Sequence, residues 1–244
     1  MRFEFSHPAR TMRAMQMRYP IVALALGLLV ALGGCSSTLA PTPAAPISTE
    51  PVNLTLRKRQ VIAYVNSGDY TREIARVALE ANRHLIKRGT KLLAEGRKVA
   101  VVFDIDETTL ANYPHILNND FGYVPRIWDD WVAEGRAHAI IPVQTVYDTA
   151  VRMKLDVFFI TGRKESDRAG TERNLRDVGY ETWTRIYYKP ADYQGTARAF
   201  KGGIRRQLVE EGYVIVANLG DQMSDLGSYA ERDFKLPNPF YLID

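Results

Sequence analysis

Two aspartates separated by one residue, Asp104 and Asp106, directly follow an apolar run at residues 99–103. Carboxylates at this spacing can point into one pocket where the chain leaves strand geometry. One could attack phosphorus while the other protonates the leaving oxygen, provided that their surroundings separate their pKa values. Helix capping at a strand–helix junction is the alternative for this motif alone. The pair by itself therefore predicts either a reactive site or a cap.

A second acidic pair, Asp221 and Asp225, follows the apolar run at residues 214–217. Placed beside the first pair, it gives the oxygen-rich site with few protein ligands that Mg²⁺ favours, because waters and substrate can complete the octahedron. A turn with a capping aspartate is again the alternative. The two pairs together predict a magnesium site.

A hydroxyl, a glycine and a lysine could hold a phosphoryl group at such a site. Thr161 and Gly162 follow an apolar run at residues 157–160 and offer a hydroxyl and a backbone N–H. Lys201 lies ahead of a predicted helix, where its ammonium could neutralise both the nucleophile and the phosphate. Lys189 is a rival for this role, and a solvated surface lysine is the commonest alternative.

The elements that must position these groups alternate between strand and helix. Unbroken apolar runs predict buried strands at residues 99–103, 157–160 and 214–217, with a weaker one at 185–188. Helical patterns fall at residues 143–154, 166–178 and 203–211. This alternation predicts an α/β domain with a parallel sheet, and ligands bind such sheets at the carboxyl ends of the strands.

Two further helices are predicted ahead of the first strand. A helical pattern begins at Arg57, a turn follows at residues 66–69, and a second apolar face continues to Gly89, which we expect to stop the helix.

The beginning of the chain is typical of an export signal. Arg13 and Arg18 precede an apolar run at residues 21–32 that is too short to span a bilayer comfortably. The following Gly33-Gly34-Cys35 resembles the lipobox of bacterial lipoproteins, in which the cysteine thiol takes a diacylglyceryl group. A conventional signal peptide followed by an incidental cysteine is the alternative. Because Cys35 is the only cysteine, no intrachain disulfide is possible.

We therefore expect a lipoprotein signal peptide at residues 1–34, a Pro/Ser/Thr-rich tether at 35–56 and a globular domain at 57–244. Lipidation of Cys35, including palmitate, would anchor the protein to a membrane. Ser36 favours the outer membrane, facing the periplasm, in a Gram-negative host. Met12, Met15 or Met17 could be the true start.

Charge argues against a nucleic-acid polymer as a partner. Four arginines and one glutamate precede Cys35, and their removal from 32 basic and 28 acidic residues leaves 28 and 27, a net charge of +1. A basic binding surface is therefore not supported.

The order of the motifs, DxDxT, then a Ser/Thr, then a Lys, then GDxxxD, resembles the haloacid dehalogenase superfamily. Further segments resemble acid phosphatases related to plant vegetative storage proteins and to bacterial lipoprotein acid phosphatases; they are Ala63-Tyr64-Val65, Ser67-Gly68-Asp69-Tyr70, Gly212-Tyr213 and Leu236-Pro237-Asn238-Pro239. The resemblance covers roughly residues 57–244, and it implies a Rossmann-like parallel sheet with a small helical cap and N-terminal helices.

The resemblance also implies roles for the site residues. Asp104 would be the nucleophile that forms an aspartyl-phosphate, and Asp106 the general acid and then the base that activates water. Thr161, Gly162 and Lys201 would bind the phosphoryl group, Lys201 being preferred to Lys189 by its spacing from Asp221. Mg²⁺ would be held by the Asp104 side chain, the Asp106 carbonyl and Asp221, with Asp225 in support. Tyr241 would contact the substrate.

The resemblance therefore implies an acid phosphatase that acts on phosphate monoesters. A short segment at residues 110–141, with one helix near 127–133, leaves room for only a small cap. We expect an open site, covered partly by this segment and by the N-terminal helices, with Trp128, Trp131 and Tyr241 as walls. Such a site would accept nucleoside monophosphates and aryl phosphates alike. A non-catalytic storage or binding protein on the same fold, or a structural lipoprotein, are the alternatives; the sequence predicts no oligomeric state.

Overall fold

The computed structural model describes residues 50–243. Cys35, the predicted signal peptide and most of the predicted tether lie outside these residues. In chain order, the helices are α1 (Leu54–Asn66), α2 (Asp69–Ala94), α3 (Tyr113–Asn118), α4 (Pro125–Glu134), α5 (Ile141–Arg152), α6 (Arg168–Asp177) and α7 (Ala197–Glu210). The strands are β1 (Lys98–Phe103), β2 (Leu110–Ala111), β3 (His138–Ala139), β4 (Asp156–Lys164), β5 (Arg185–Lys189), β6 (Tyr213–Gly220) and β7 (Asp233–Lys235).

Five strands form one parallel sheet in the order β5-β4-β1-β6-β7. The predicted parallel α/β sheet is confirmed, and all four predicted strands are present. The fifth strand, β7, has only three residues, too short a run to give a periodic signal. Because β1 is central, its carboxyl end lies between those of β4 and β6, and the polar residues that follow these strands meet there.

Both faces of the sheet are covered, which explains why the strands are apolar without alternation. Val99, Val101 and Phe103 of β1 pack into the core formed with α2 and α5. Ala100 and Val102 pack on the opposite face, where α7 contributes Phe200 and Leu208.

The two N-terminal helices are present with different ends from those predicted. α1 begins at Leu54, where the Asn53 side chain accepts a hydrogen bond from Thr55 N. The expected stop at Gly89 is wrong, since α2 continues through it to Ala94. Gly89 is buried against Met153, and a Cβ built there would lie 3.0 Å from Met153 Cε. This glycine therefore provides close packing instead of a helix end.

The helix before β6 begins earlier than expected. It starts at Ala197, with Thr196 Oγ1 accepting a hydrogen bond from Ala199 N as its cap. Lys201 therefore lies inside the helix, and the prediction that it lies ahead of the helix is wrong. Gly202 and Gly203 do not break the helix, since the buried Phe200 and Leu208 fix it on the sheet.

The segment between β1 and α5 forms the small cap. It holds the predicted helix as α4, together with a second helix, α3, and an antiparallel pair of β2 with β3 that were not predicted. The three elements that were not predicted, α3, β2 and β3, are only two to six residues long, so they carry no periodic signal of their own. Among the described residues, no helix is long and apolar enough to cross a membrane.

Candidate active site

The polar residues after β1, β4 and β6 meet at a cavity of about 430 Å³. From the predicted set, it is lined by Asp104, Asp106, Gly162, Lys201, Asp221, Asp225 and Tyr241. Lys189 also lines it, but Lys201 is the lysine that contacts the carboxylates.

Lys201 bridges the two acidic pairs. Its ammonium donates to Asp104 Oδ1 and, at 2.6 Å, to Asp225 Oδ1, and all three side chains are buried. Burial alone would lower the pKa of Lys201, but the two carboxylates outweigh burial and raise it. The lysine is therefore a permanent cation beside Asp104.

The Asp104 carboxyl group is placed by β1, whose neighbour β6 accepts a hydrogen bond from Asp104 N at Leu219 O, 2.9 Å away. Burial raises the pKa of Asp104 well above its usual range; Lys201 opposes this, and Asp225, Asp221 and Asp106 add to it. Further positive charge at this site would therefore favour the ionised form of Asp104.

Asp221 is fixed by three donors. Its Oδ2 accepts from Gln222 Nε2 at 2.7 Å and Asn238 Nδ2 at 2.6 Å, and its Oδ1 accepts from Thr108 Oγ1 at 3.1 Å. Burial, followed by the charge of Asp225, raises the pKa of Asp221 to about 6. A buried carboxylate oriented in this way is suited to ligate a cation.

Carboxylate oxygens of Asp104, Asp221 and Asp225 lie within 4.8 Å of one another, so this buried cluster could hold a metal ion. The donors are all hard oxygens, as Mg²⁺ prefers. Both oxygens of Asp225 already accept hydrogen bonds, from Lys201 Nζ and from Gln222 N at 2.7 Å. Both oxygens of Asp221 accept hydrogen bonds as well, but only from uncharged donors, whereas Asp225 is paired with the Lys201 ammonium. The charge of Asp221 is therefore the one left for a cation.

Asp106 is held in a different environment from Asp104. Its side chain is 19% exposed, against 6% for Asp104. Arg163 donates to both of its oxygens, with Nη2 2.7 Å and Nε 3.1 Å from Oδ1. Asn112 Nδ2 donates to Oδ1 from 2.8 Å. The more open of the two aspartates is thus the one that can meet a leaving group.

Sequence reasoning missed Glu107, although it lies inside the DxDxT motif. It is buried, has a φ of 53°, and accepts hydrogen bonds from Asn112 N at 2.5 Å and Tyr241 Oη at 2.9 Å. Burial, with the charges of Asp106 and Asp221, raises the pKa of Glu107 to about 8. Glu107 thereby ties the loop after β1 to Tyr241.

Thr161 lies beneath the cavity. It is fully buried, and its hydroxyl accepts a hydrogen bond from Arg163 N at 3.1 Å, at the irregular end of β4 where Gly162 lines the cavity. Its contact with a phosphoryl group stays a prediction. The sequence analysis assigned no role to Arg163; its position next to the predicted Thr-Gly pair was the available signal.

Aromatic side chains form much of the cavity wall. The cap contributes Phe121, Tyr123 and Trp128, and the segment after β7 contributes Phe240 and Tyr241. The prediction of Trp131 as a wall is wrong, because its indole N–H turns inward and donates to Asn112 Oδ1 at 2.8 Å.

The expected cover by the N-terminal helices is also wrong. None of the cavity-lining residues in the described part of the chain comes from α1 or α2. The apolar side of α2 is used against the sheet and α5, so this helix lies on a face of the sheet, not over its carboxyl edge. Residues 240–243 line the cavity where the N-terminal helices were expected.

Comparisons with known proteins agree with this architecture. The chain matches the family model of the HAD superfamily, subfamily IIIB (acid phosphatase), over residues 33–244. It is 37% identical to acid phosphatase 1 of Solanum lycopersicum over 188 residues, which cover 74% of this chain and 72% of that protein. Vegetative storage protein 1 of Arabidopsis thaliana is 31% identical over 147 residues, covering 58% of this chain and 54% of that protein.

A solved structure is similar as well. The class C acid phosphatase from Bacillus anthracis matches with a TM-score of 0.61 and 25% identity, covering 78% of this chain and 87% of that one. The fold and the site thus define a hydrolase of the haloacid dehalogenase class. The chain belongs to its subfamily IIIB, the acid phosphatases, and is a phosphoric monoester hydrolase. The predicted family, fold and enzyme class are confirmed.

Proposed function

We propose that this acid phosphatase hydrolyses phosphate monoesters through an aspartyl-phosphate on Asp104, with Asp106 as acid and base and with Mg²⁺ as cofactor. One observation carries the proposal: Asp104 is buried at the cavity floor, paired with Lys201, while its companion Asp106 stands more open at the same cavity.

In the first half of the reaction, an Asp104 oxygen attacks phosphorus and the bond between phosphorus and the ester oxygen breaks. Asp106 donates its proton to that oxygen, so the product leaves as a neutral alcohol. Lys201 remains beside the developing negative charge, and the Gly162 N–H, at the cavity wall, is a candidate donor to a phosphoryl oxygen.

In the second half, Asp106 accepts a proton from water as the water oxygen attacks phosphorus. The bond between phosphorus and Asp104 breaks, which releases inorganic phosphate and returns Asp104 as a carboxylate. Arg163 and Asn112 hold Asp106 in one orientation for both halves. Asp106 loses its proton in the first half and regains one from water in the second, so the cycle closes.

For Mg²⁺, the fitting ligands are the side chains of Asp104 and Asp221 together with the Asp106 carbonyl, and Asp225 supports them through Lys201 and the turn at Gln222. When bound, Mg²⁺ would neutralise charge on the nucleophile and on the phosphoryl oxygens. The raised pKa values of Asp104 and Asp221 support this assignment, since a dication favours their ionised forms.

Broad substrate use is part of the proposal. The wall formed by Tyr123, Trp128 and Tyr241 offers faces on which nucleobase and aryl groups of a leaving alcohol can stack. Nucleoside monophosphates and aryl phosphates are therefore the proposed substrates, alongside other phosphate monoesters.

We also propose that the protein is exported and anchored by a lipid at Cys35, at the outer membrane facing the periplasm. The support is in the sequence: the charged start, the apolar run and the Gly-Gly-Cys that follows it.

Vegetative storage proteins are among the relatives, but in this chain Asp104, Asp106, Lys201 and Asp221 all line one cavity. A storage role would not need this arrangement, so catalysis is the better proposal.

The test is hydrolysis of 4-nitrophenyl phosphate by the purified mature protein, with and without a chelator. We expect activity that the chelator removes and Mg²⁺ restores. Asp104→Asn should abolish turnover, because an amide cannot form the acyl-phosphate, and Asp106→Asn should slow it at least about a hundredfold. Asp177→Asn, at the exposed end of α6, is the matched control. Near-normal turnover by Asp104→Asn would disprove the nucleophile.

A further inference from the structure

Two side chains hold Asp106, and both also contact α4. Arg163 pairs with the Asp106 carboxylate, and its guanidinium lies 5.5 Å from the centre of the Trp128 ring. Asn112 donates to Asp106 Oδ1, and its own amide oxygen accepts a hydrogen bond from Trp131 Nε1, each at 2.8 Å. A chain of indole, amide and carboxylate thus runs from the cap to Asp106.

The orientation of the Asn112 amide follows from this chain. An indole N–H can only donate, so it requires the amide oxygen to face Trp131. The amide NH₂ must then face the other way, where its two hydrogens meet Asp106 Oδ1 and, at 3.2 Å, Glu107 Oε2. Asn112 is fully buried, and no water is needed to complete its hydrogen bonds.

The Trp131 ring packs against the main hydrophobic core and under Arg136, but neither contact involves its indole nitrogen. Trp131 lies outside the lining of the catalytic cavity, and its ring packs on His115, 5.4 Å between centres, at the back of the cap. Its polar atom is the part that points to the site. Apolar packing alone does not require a nitrogen in the ring, so the indole N–H needs a separate explanation.

We propose that Trp131 and Asn112 are positioning residues for the acid–base group, and that α4 sets the direction in which Asp106 delivers its proton. This inference rests on the proposed role of Asp106. It assigns the cap a part in catalysis through residues that do not touch substrate.

The consequence is a dependence on the leaving group. An alkyl alcohol leaves poorly unless its oxygen is protonated, whereas nitrophenolate leaves readily as an anion. The ratio kcat/KM depends only on the steps up to release of the alcohol. It therefore reports proton donation by Asp106 and does not depend on the later attack of water on the aspartyl-phosphate. Misplacing Asp106 should therefore lower kcat/KM for alkyl esters and spare that for nitrophenyl esters.

The experiment compares Trp131→Phe with wild type on glycerol 2-phosphate and 4-nitrophenyl phosphate. The change keeps most of the ring and removes the N–H. We expect kcat/KM for the alkyl ester to fall at least about tenfold, and that for the aryl ester to change less than about twofold, as a partial loss of acid catalysis requires. Trp183 packs on Phe159 away from the cavity, so Trp183→Phe should change kcat/KM for neither ester.

A double-mutant cycle completes the test. If Trp131 acts through Asp106, Trp131→Phe should have no further effect on kcat/KM in an Asp106→Asn background. Equal losses on both esters, no loss on either, or additive losses in the cycle would overturn the inference. If Trp131→Phe does not fold, Asn112→Ser carries the same ester comparison, because it also breaks the link to the indole.

The two proposals fail in different ways. Wild-type protein that hydrolyses neither ester, or an Asp106→Asn variant with unchanged kcat/KM for the alkyl ester, would remove the proposed function itself. An active wild type with the predicted Asp106 effect, but with no ester preference in Trp131→Phe, would remove only the positioning role.

Discussion

At the scale of single residues, the site concentrates several buried carboxylates around one lysine. Asp104, Asp221 and Asp225 are all buried, and Lys201 is the cation that touches two of them. Burial of several like charges is costly unless they are paired, so the local structure supplies donors to each carboxylate. Asp221 has only uncharged donors, so we expect it to bind the cation directly, whereas Asp225 is paired with Lys201 and should support the site indirectly.

Asp221→Asn and Asp225→Asn should therefore respond differently to Mg²⁺. Loss of a direct ligand at Asp221 should raise the Mg²⁺ concentration for half-maximal activity by at least about tenfold, more than the loss of support at Asp225. Asp225→Asn should instead lower kcat, because its partner Lys201 is released. A Mg²⁺ titration of initial rates measures both quantities. A larger metal effect at Asp225 would reverse the assignment.

Tyr241 contributes both to the cavity wall and to the hydrogen bonds of the buried Glu107. Its ring lines the cavity while its hydroxyl donates to the buried Glu107. Tyr241→Ala should raise KM for aryl and nucleotide substrates by about threefold to tenfold, as expected for a lost stacking partner, and change KM for a small alkyl phosphate much less. A substrate panel on the purified protein checks this ratio. Equal changes in KM for every substrate would exclude a stacking role.

The residues of the motifs could be predicted because each motif is local in sequence. Asp104 and Asp106 lie in five consecutive residues, and Asp221 and Asp225 in another five. Their partners could not be predicted in the same way. Asn238 meets Asp221, and Arg163 meets Asp106 across 57 positions, and such contacts depend on strand order and loop geometry.

At the scale of elements, the cap is held by its contact with α6. Gly170 of α6 is buried against the backbone of α4, and a Cβ built there would lie only 2.3 Å from Val132 O. Backbone cannot give way as a flexible side chain can. The position of α4, and with it Trp128 and Trp131, therefore depends on this glycine.

Gly170→Ala should destabilise the protein by about 1–3 kcal/mol, the usual cost of overpacking, and should lower activity by shifting α4. Gly203→Ala is the matched control, since this glycine of α7 has no atom within 4 Å of a built Cβ. There the better helix propensity of alanine should leave stability unchanged or raise it by up to about 1 kcal/mol. Urea denaturation of both variants tests the contrast. Equal stabilities would contradict the close contact.

His84 couples α2 to β6 in a way that depends on pH. Its Nε2 lies 3.1 Å from Val216 O, and burial, against the effect of this bond, lowers the pKa of His84 below 6.5. Arg88, Glu231 and Arg232 are the charged groups around it. The unfolded chain then binds more protons than the folded protein just below pH 6.5, so stability decreases as the pH falls through this range.

His84→Gln should therefore lose less stability than wild type between pH 7.5 and pH 5. Glutamine can still donate to Val216 O but has no proton to gain. Urea denaturation at the two pH values measures the difference. An identical loss in both proteins would show that His84 does not titrate with a lowered pKa.

Prediction at this scale succeeded for long elements and failed for short ones. The central strands and α2 have many apolar residues in register, whereas α3, β2, β3 and β7 have six or fewer residues. The start of α7 was predicted at residue 203, six residues later than its observed start at Ala197, and the early part of the helix contains Gly202 and Gly203. Tertiary burial of Phe200 outweighs their low propensity.

At the scale of the whole molecule, the described domain begins close to the proposed tether. α1 starts at Leu54, within the last residues that the sequence assigned to the tether. Eighteen residues lie between Cys35 and this helix in the sequence, and in the proposal they belong to the tether that links the domain to its lipid anchor.

Cys35→Ser should release the protein from membranes and abolish lipid labelling, because a hydroxyl does not replace the thiol as lipid acceptor. Fractionation of expressing cells and metabolic labelling with radioactive palmitate measure the two effects. Phosphatase activity of the released protein should stay unchanged. Wild type that carries no lipid, with the same distribution as the variant, would disprove the anchor.

The segment at residues 238–243 lies at the site through bonds to Asp221, Glu107 and Gln222. Asp104 therefore leaves the ribosome long before the residues that complete its surroundings are made. Contacts at such sequence separation form late, because a large loop must close first. A nascent chain that has passed Asp104 but not Asn238 should therefore be catalytically silent.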